Sequence, residues 1–84
     1  MPSIELELRR TLAGNLRAYR KMKGLSQEEL ASKCNLHRTY IGSVERCERN
    51  VTLGTLCSLS RALNITVPNL LLSRKVPAND IKKH

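Results

Sequence analysis

Arg38, Thr39, Tyr40, Ser43 and Arg46 stand within nine residues of one another in the stretch "HRTYIGSVERCERN". Its apolar residues Ile41 and Val44 are three apart, the spacing of one helix face. If that face meets a core and the helix turns about 100° per residue, then Thr39, Gly42, Ser43 and Arg46 point away from it, with Arg38 and Tyr40 on the flanks. An arginine can donate two hydrogen bonds to guanine, a threonine methyl can touch thymine, and glycine at 42 permits close approach. A helix that merely faces water would more usually carry Glu–Lys pairs. The chemistry on offer is therefore recognition of base edges and phosphates.

The composition agrees with a polyanionic partner. Fifteen Lys and Arg against seven Asp and Glu give the 84 residues a formal charge of +8, which favours nucleic acid over a membrane surface. With two tyrosines and no Phe or Trp, the core must be built from Leu, Ile, Val and Ala, which suits helix-on-helix packing. The same scarcity of stacking aromatics argues against single-stranded RNA. Cys34, Cys47 and Cys57 show no CxxC spacing and, with only His37 and His84 to help, make no zinc site. Cys34 and Cys57 fall on apolar stripes and are expected in the core. With no signal peptide and no long apolar run, the expected setting is the cytoplasm with reduced thiols. No catalytic constellation, phosphate loop or ligand-sensing domain is visible, so neither an enzyme nor a cofactor or small-molecule ligand is expected.

The elements that must position the polar face are short helices. Leu12, Leu16 and Tyr19 recur at helical spacing, and Gly24 follows Lys21 and Lys23 as a stop signal. "LSQEEL" restarts a helix, with Ser26 and Glu29 as a capping box and Leu25 and Leu30 as a hydrophobic staple. The same five-residue staple spacing recurs at Leu36/Ile41, Val51/Leu56 and Ile65/Leu70, with Thr52 and Thr66 at cap positions. These signals predict helices near 11–23, 27–34, 38–46, 53–63 and 68–72, an all-α, five-helix domain over residues 11–72. Residues 1–10 alternate Ile4, Leu6 and Leu8 and leave an N-terminal arm or a helix extension open; residues 73–84 read as a flexible basic tail. "CNLH" joins the second and third helices, with Ala31 small enough for a close crossing and Asn35 suited to a left-handed turn. That is the pattern of a helix-turn-helix, whose second helix enters the major groove.

From about Leu12 to Leu71, and most clearly from Leu25 onward, the sequence resembles the XRE family of lambda-repressor-like DNA-binding domains. "HRTYI…ERCERNVTL" is most similar to the small controller proteins of restriction–modification systems. The resemblance implies that Arg38, Thr39 and Tyr40 lead the base contacts, with Ser43 and Arg46 close behind. It also implies that Gln27 clamps a phosphate at the start of its helix, and that Arg49 and Asn50 are further backbone contacts. Two simpler roles are open: Gln27 as a helix cap, and Arg49 as a partner for Glu45 four residues earlier. In the family, the acid at the position of Glu45 pairs with an arginine near the end of the first helix, here Arg20. The sequence departs from the pattern at Cys47, where a glycine normally closes the recognition helix in a left-handed turn. His37 stands where Asp or Ser commonly caps, and Val51 replaces a proline.

Leu70, Leu71 and Leu72 stand in succession, and one core cannot face all three. With Leu63, Ile65 and Val67 they suggest a two-fold homodimer interface, which the family also implies. The function expected is a homodimeric, sequence-specific regulator at a double-stranded DNA operator, most like a controller of its own gene. The alternatives are a phage-like repressor and an antitoxin-like helical module whose main partner is a protein.

Overall fold

A serine cap starts the first helix well before the predicted position 11. In the computed structural model, which describes residues 3–73, helix α1 runs Ile4–Met22. The Ser3 side chain accepts from Leu6 N–H at 3.0 Å, and Glu5 and Glu7 lie in the first turn, where the helix dipole favours negative charge. Residues 4–10 are therefore a helix extension, and the alternation of Ile4, Leu6 and Leu8 is not that of a strand. The expected basic tail lies, apart from Ser73, outside the described residues.

Four shorter helices follow: α2 Gln27–Cys34, α3 Arg38–Glu45, α4 Leu53–Leu63 and α5 Val67–Leu71. Each begins where a cap was legible, except α3. Ser26 and Glu29 form the reciprocal capping box, Thr52 accepts from Thr55 N–H, and Thr66 accepts from Asn69 N–H. Pro68 falls in the first turn of α5, where its missing N–H costs no helix bond. Left-handed residues close α2 at Asn35 (φ 59°) and α4 at Asn64 (φ 57°).

The core is a single aliphatic cluster drawn from all five helices. Leu16, Leu30, Ile41, Leu59, Leu63 and Leu70 are fully buried, with Leu12, Val44 and Leu56 nearly so. Burial of one such side chain is worth about 1.5–3 kcal/mol, so this cluster is what holds the short helices together. Asn15, half-buried on α1, ties down the C-terminal end of α5: its Nδ2 donates to Leu70 O at 2.8 Å and Leu72 O at 3.0 Å.

Two expectations about the core change here. Cys57 is exposed, because the buried stripe of α4 is Leu56, Leu59 and Leu63, and a residue one step from Leu56 is turned about 100° from it. Cys34 is half-buried, with its Sγ 3.7 Å from Ser58 O, and burial pushes its thiol pKa up. Leu63 and Leu70, expected at a dimer face, are fully buried within this chain and have no surface left for a second copy. Ile65, Val67 and Leu71 are half-buried, and Leu72 is 46% exposed.

The turn after α3 keeps the shape that a glycine would favour. Cys47 has φ 65°, with its N–H donating to Val44 O and that of Glu48 donating to Ser43 O, both at 2.9 Å. This is a helix-closing left-handed turn, and a Cβ there costs about 1–2 kcal/mol. Cys47→Gly is expected to stabilise the domain by about 1 kcal/mol, after allowing for the greater freedom of glycine in the unfolded chain. The check is thermal unfolding, with a rise of about 4–8 °C in Tm for a domain of this size.

Candidate nucleic-acid interface

The bend between α2 and α3 is made by backbone hydrogen bonds at Asn35. Leu36 N–H donates to Ala31 O at 2.8 Å and Asn35 N–H to Ser32 O at 3.2 Å, while Ala31 is buried at the crossing. The two helices are thereby folded across one another, and α3 is set on the outside of the domain with Ile41 and Val44 turned inward.

The outer face of α3 is narrower than its sequence suggests. Arg38, Thr39 and Arg46 are exposed and Tyr40 is half-buried, but Gly42 and Ser43 are buried. Gly42 lies under two side chains: a Cβ there would come 3.1 Å from Arg46 Nη1 and 3.5 Å from Gln27 Oε1. Ser43 donates its hydroxyl proton to Tyr40 O at 2.7 Å and accepts from Arg49 Nε at 3.2 Å. The Arg49 guanidinium also stands over the Tyr40 ring, 5.1 Å from its centroid. Ser43 is thus corrected from a base-contacting residue to one that pins Arg49 and the returning loop against α3. The cause is that the loop after α3 folds back over a helix face that a single-sided packing argument leaves open.

Beneath this face lies a buried charge cluster centred on Glu45, whose side chain is 1% exposed. Arg20 grips it with two donors, Nε to Oε2 at 2.6 Å and Nη2 to Oε1 at 3.0 Å, and the third guanidinium nitrogen donates to Leu25 O at 2.8 Å. Gln27 Nε2 donates to Oε1 at 3.0 Å, Arg17 Nε stands 3.7 Å from Oε1, and Arg17 Nη2 donates to Glu45 O at 3.3 Å. Burial by itself would raise the carboxyl pKa; the hydrogen bonds from Arg20 and Gln27 and the charges of Arg20 and Arg17 outweigh it and hold the group below its usual value. The Arg20 guanidinium is correspondingly raised, chiefly by its hydrogen bond to Glu45. Three elements, α1, α2 and α3, are bolted together at this point.

The remaining expected contact residues surround that bolt. Gln27, half-buried at the first position of α2, commits one amide hydrogen to Glu45 and keeps a second, beside first-turn backbone N–H groups that have no intrahelical partner. Arg49 takes Ser43 and Tyr40 as its partners rather than Glu45, whose oxygens are already occupied. Arg46 pairs with Glu48 at 3.2 Å, both more than half exposed, a contact worth at most about 1 kcal/mol and easily given up to a better anion. Asn50 is exposed at the mouth of an apolar groove of about 490 Å³ lined by Ile4, Leu8, Leu12, Val51 and Leu53. Arg17 and the Gln27–Glu45 bond escape sequence reasoning, although Arg17 stands three residues before Arg20, one helical turn away on the same side of α1. Among the described residues, no group of three or more His, Cys, Asp or Glu could hold a metal ion, and no helix is long and apolar enough to cross a membrane.

The family model HTH_3, helix-turn-helix, matches residues 16–70. The chain belongs to the HTH_3 helix-turn-helix family. This is the XRE-type family that the motif implies, and it is not a family of enzymes. Among its helix-turn-helix relatives, the control protein C.SmaI of Serratia marcescens is 59% identical over 66 residues, 79% of each chain. Two solved HTH_3-like structures share the fold. The hypothetical transcription factor NHTF from Neisseria has a TM-score of 0.77 at 40% identity, over 100% of this chain and 92% of that one. The restriction–modification controller protein C.AhdI from Aeromonas hydrophila has a TM-score of 0.72 at 44% identity, over 74% of this chain and 94% of that one.

Proposed function

We propose that this helix-turn-helix protein is a cytoplasmic, homodimeric regulator of transcription that reads double-stranded DNA with α3, and that it is a restriction–modification controller acting on its own gene. The observation that carries the reading is the exposed first turn of α3. Arg38 and Thr39 project from a short helix whose opposite side is locked by the buried Glu45 cluster. Such rigidity lowers the entropy lost when those side chains engage a base edge. The likeness to C.SmaI and C.AhdI supports the controller subtype.

In this reading Arg38 and Thr39 contact bases, with Tyr40 and Arg46 beside them. Gln27 and the N-terminus of α2 take a phosphate on one side of the groove, while Arg49 and Asn50 take one on the other. Ser43 contributes by holding Arg49 in place. Dimerisation uses Ile65, Val67, Leu71 and Leu72, extended by Ile4 and Leu8, which line one continuous surface with Leu71. Residues 11–72 then carry both DNA binding and dimerisation, and two copies of α3 read half-sites about 34 Å apart. Control by concentration and dimerisation requires no small-molecule ligand.

The test is fluorescence-anisotropy titration on the duplex upstream of its own gene beside a shuffled duplex, at about 50 and 200 mM salt. The expected result is at least about 1000-fold tighter binding to the native duplex, with both affinities falling steeply with salt. Equal binding to both duplexes would contradict self-regulation. For the dimer, Leu72→Asp is expected to leave the fold intact, since the side chain is exposed, and to weaken self-association at least about tenfold in sedimentation equilibrium. An unchanged dimer constant would move the interface elsewhere.

A further inference from the structure

The residue that opens α3 does not cap it. An N-cap side chain ordinarily accepts from a backbone N–H two or three residues on, and His37, with φ −84° and ψ 143°, makes no such bond. Its ring meets a side chain instead: Nδ1 stands 2.6 Å from Oγ1 of Thr39. Both residues are exposed, at the edge of α3 that the proposed function turns toward the bases. The contact satisfies no helix-end N–H, so its consequence falls on the hydroxyl of Thr39.

That hydroxyl has one proton and two lone pairs to distribute. When the imidazole is neutral with its proton on Nε2, Nδ1 takes the Thr39 proton, and Oγ1 can offer a third group only a lone pair. It then suits the amino groups of adenine N6 and cytosine N4 in the major groove. When the ring is protonated, Nδ1–H donates to Oγ1 and the hydroxyl proton is released. Thr39 then suits guanine O6 and N7 and thymine O4.

We propose that His37 is a specificity-determining positioning residue that sets the hydrogen-bonding polarity of Thr39: an acceptor toward adenine or cytosine when His37 is neutral, a donor toward guanine or thymine when it is charged. The inference rests on the reading of Thr39 as a base-contacting residue. The charged groups that line the cleft beside the ring are Glu28 of α2 and Arg38 of α3, one of each sign.

The experiment selects duplexes from a random-sequence library with the full-length protein at about pH 8 and pH 5.5, values that span the range in which histidine side chains change charge. At one position in each half-site, the preference on the contacted strand is expected to move from A or C toward G or T on acidification, by about 5- to 10-fold. His37→Asp, whose carboxylate offers only acceptor oxygens at this N-cap position, is expected to bind and to lose the pH-dependent change. His37→Ala is expected to bind and to lose the pH-dependent change. Thr39→Val is expected to lose the preference itself. If the selected sequences agree at the two pH values while Thr39→Val still erases a preference, Thr39 reads a base but His37 does not set its polarity, and the proposal is overturned. If Thr39→Val changes no position, the reading of Thr39 fails and the inference falls with it. A pH effect uniform across all sequences would make His37 a phosphate contact only, which also overturns it.

Discussion

Arg20→Ala is expected to cost about 3–5 kcal/mol of folding stability, measured by urea unfolding monitored by circular dichroism. The loss is large because the partner left behind is Glu45, 1% exposed and unable to recover water at its oxygens. Exposed ion pairs such as Arg46–Glu48 are worth a fraction of this. A domain of this size typically carries on the order of 5–10 kcal/mol, so a loss of this size is best measured in the Cys47→Gly background. The double variant Arg20→Ala/Glu45→Ala is expected to lose much less than the sum of the single losses, because it leaves no unpaired buried charge. Additive losses would mean that the two residues act independently.

The same cluster sets the response to acid. The Glu45 carboxyl is held below its usual value in the folded chain, so the unfolded chain binds more protons in the window between the two values and stability rises with pH there. Its contribution is complete above the unfolded carboxylate value of about 4.3 and is lost as pH falls through the lower, folded value. Arg20 is shifted in the opposite direction; its contribution is present at all pH values below the arginine range and plays no part in acid unfolding.

The second large effect concerns binding. Arg38→Ala is expected to weaken the specific complex by about 1–3 kcal/mol, roughly 5- to 150-fold in Kd, while binding to a shuffled duplex changes far less. Arg38 is exposed at the start of α3 and its side chain makes no hydrogen bond or ion pair among the described residues, so its truncation is expected to leave folding unchanged. Gln27→Ala should behave differently: it weakens all duplexes alike through a lost phosphate contact and also withdraws a hydrogen bond from Glu45. Equal losses on specific and shuffled duplexes for Arg38→Ala would make it a phosphate contact rather than a base reader.

Helix starts were legible because they are local. Ser26 with Glu29, Thr52 and Thr66 satisfy backbone groups within three residues, and each cap acts as its residue type requires. The Ser3 cap and acidic first turn of α1 were equally local, but the alternating Ile4, Leu6 and Leu8 left its type open. The turn at Asn35 follows from residue type and the inward Ile41 and Val44 from spacing, whereas the Arg20–Glu45 pair comes from the family resemblance. What remained hidden depends on elements meeting in space. Gln27 and Arg17 reach Glu45 across 18 and 28 positions, a contact fixed by how α1 and α2 cross α3. Ser43 and Gly42 looked outward because a helix packed on one side has a free face, but α3 is also covered by Gln27, Arg46 and the loop that brings Arg49 back. Leu70 and Leu72 are equivalent as letters; only the docking of α5 on α1, with Asn15 as the tie, decides that one is core and the other surface.

In the proposed function, DNA meets the outer edge of α3 across a frame bolted at Glu45. The most direct test is to follow backbone amide chemical shifts while the duplex upstream of the gene is titrated in. The largest changes are expected at Arg38, Thr39 and Tyr40, with a second group at Gln27 and a third between Arg46 and Asn50. Changes concentrated in the groove between α1 and α4, with the first turn of α3 unmoved, would contradict the proposed function.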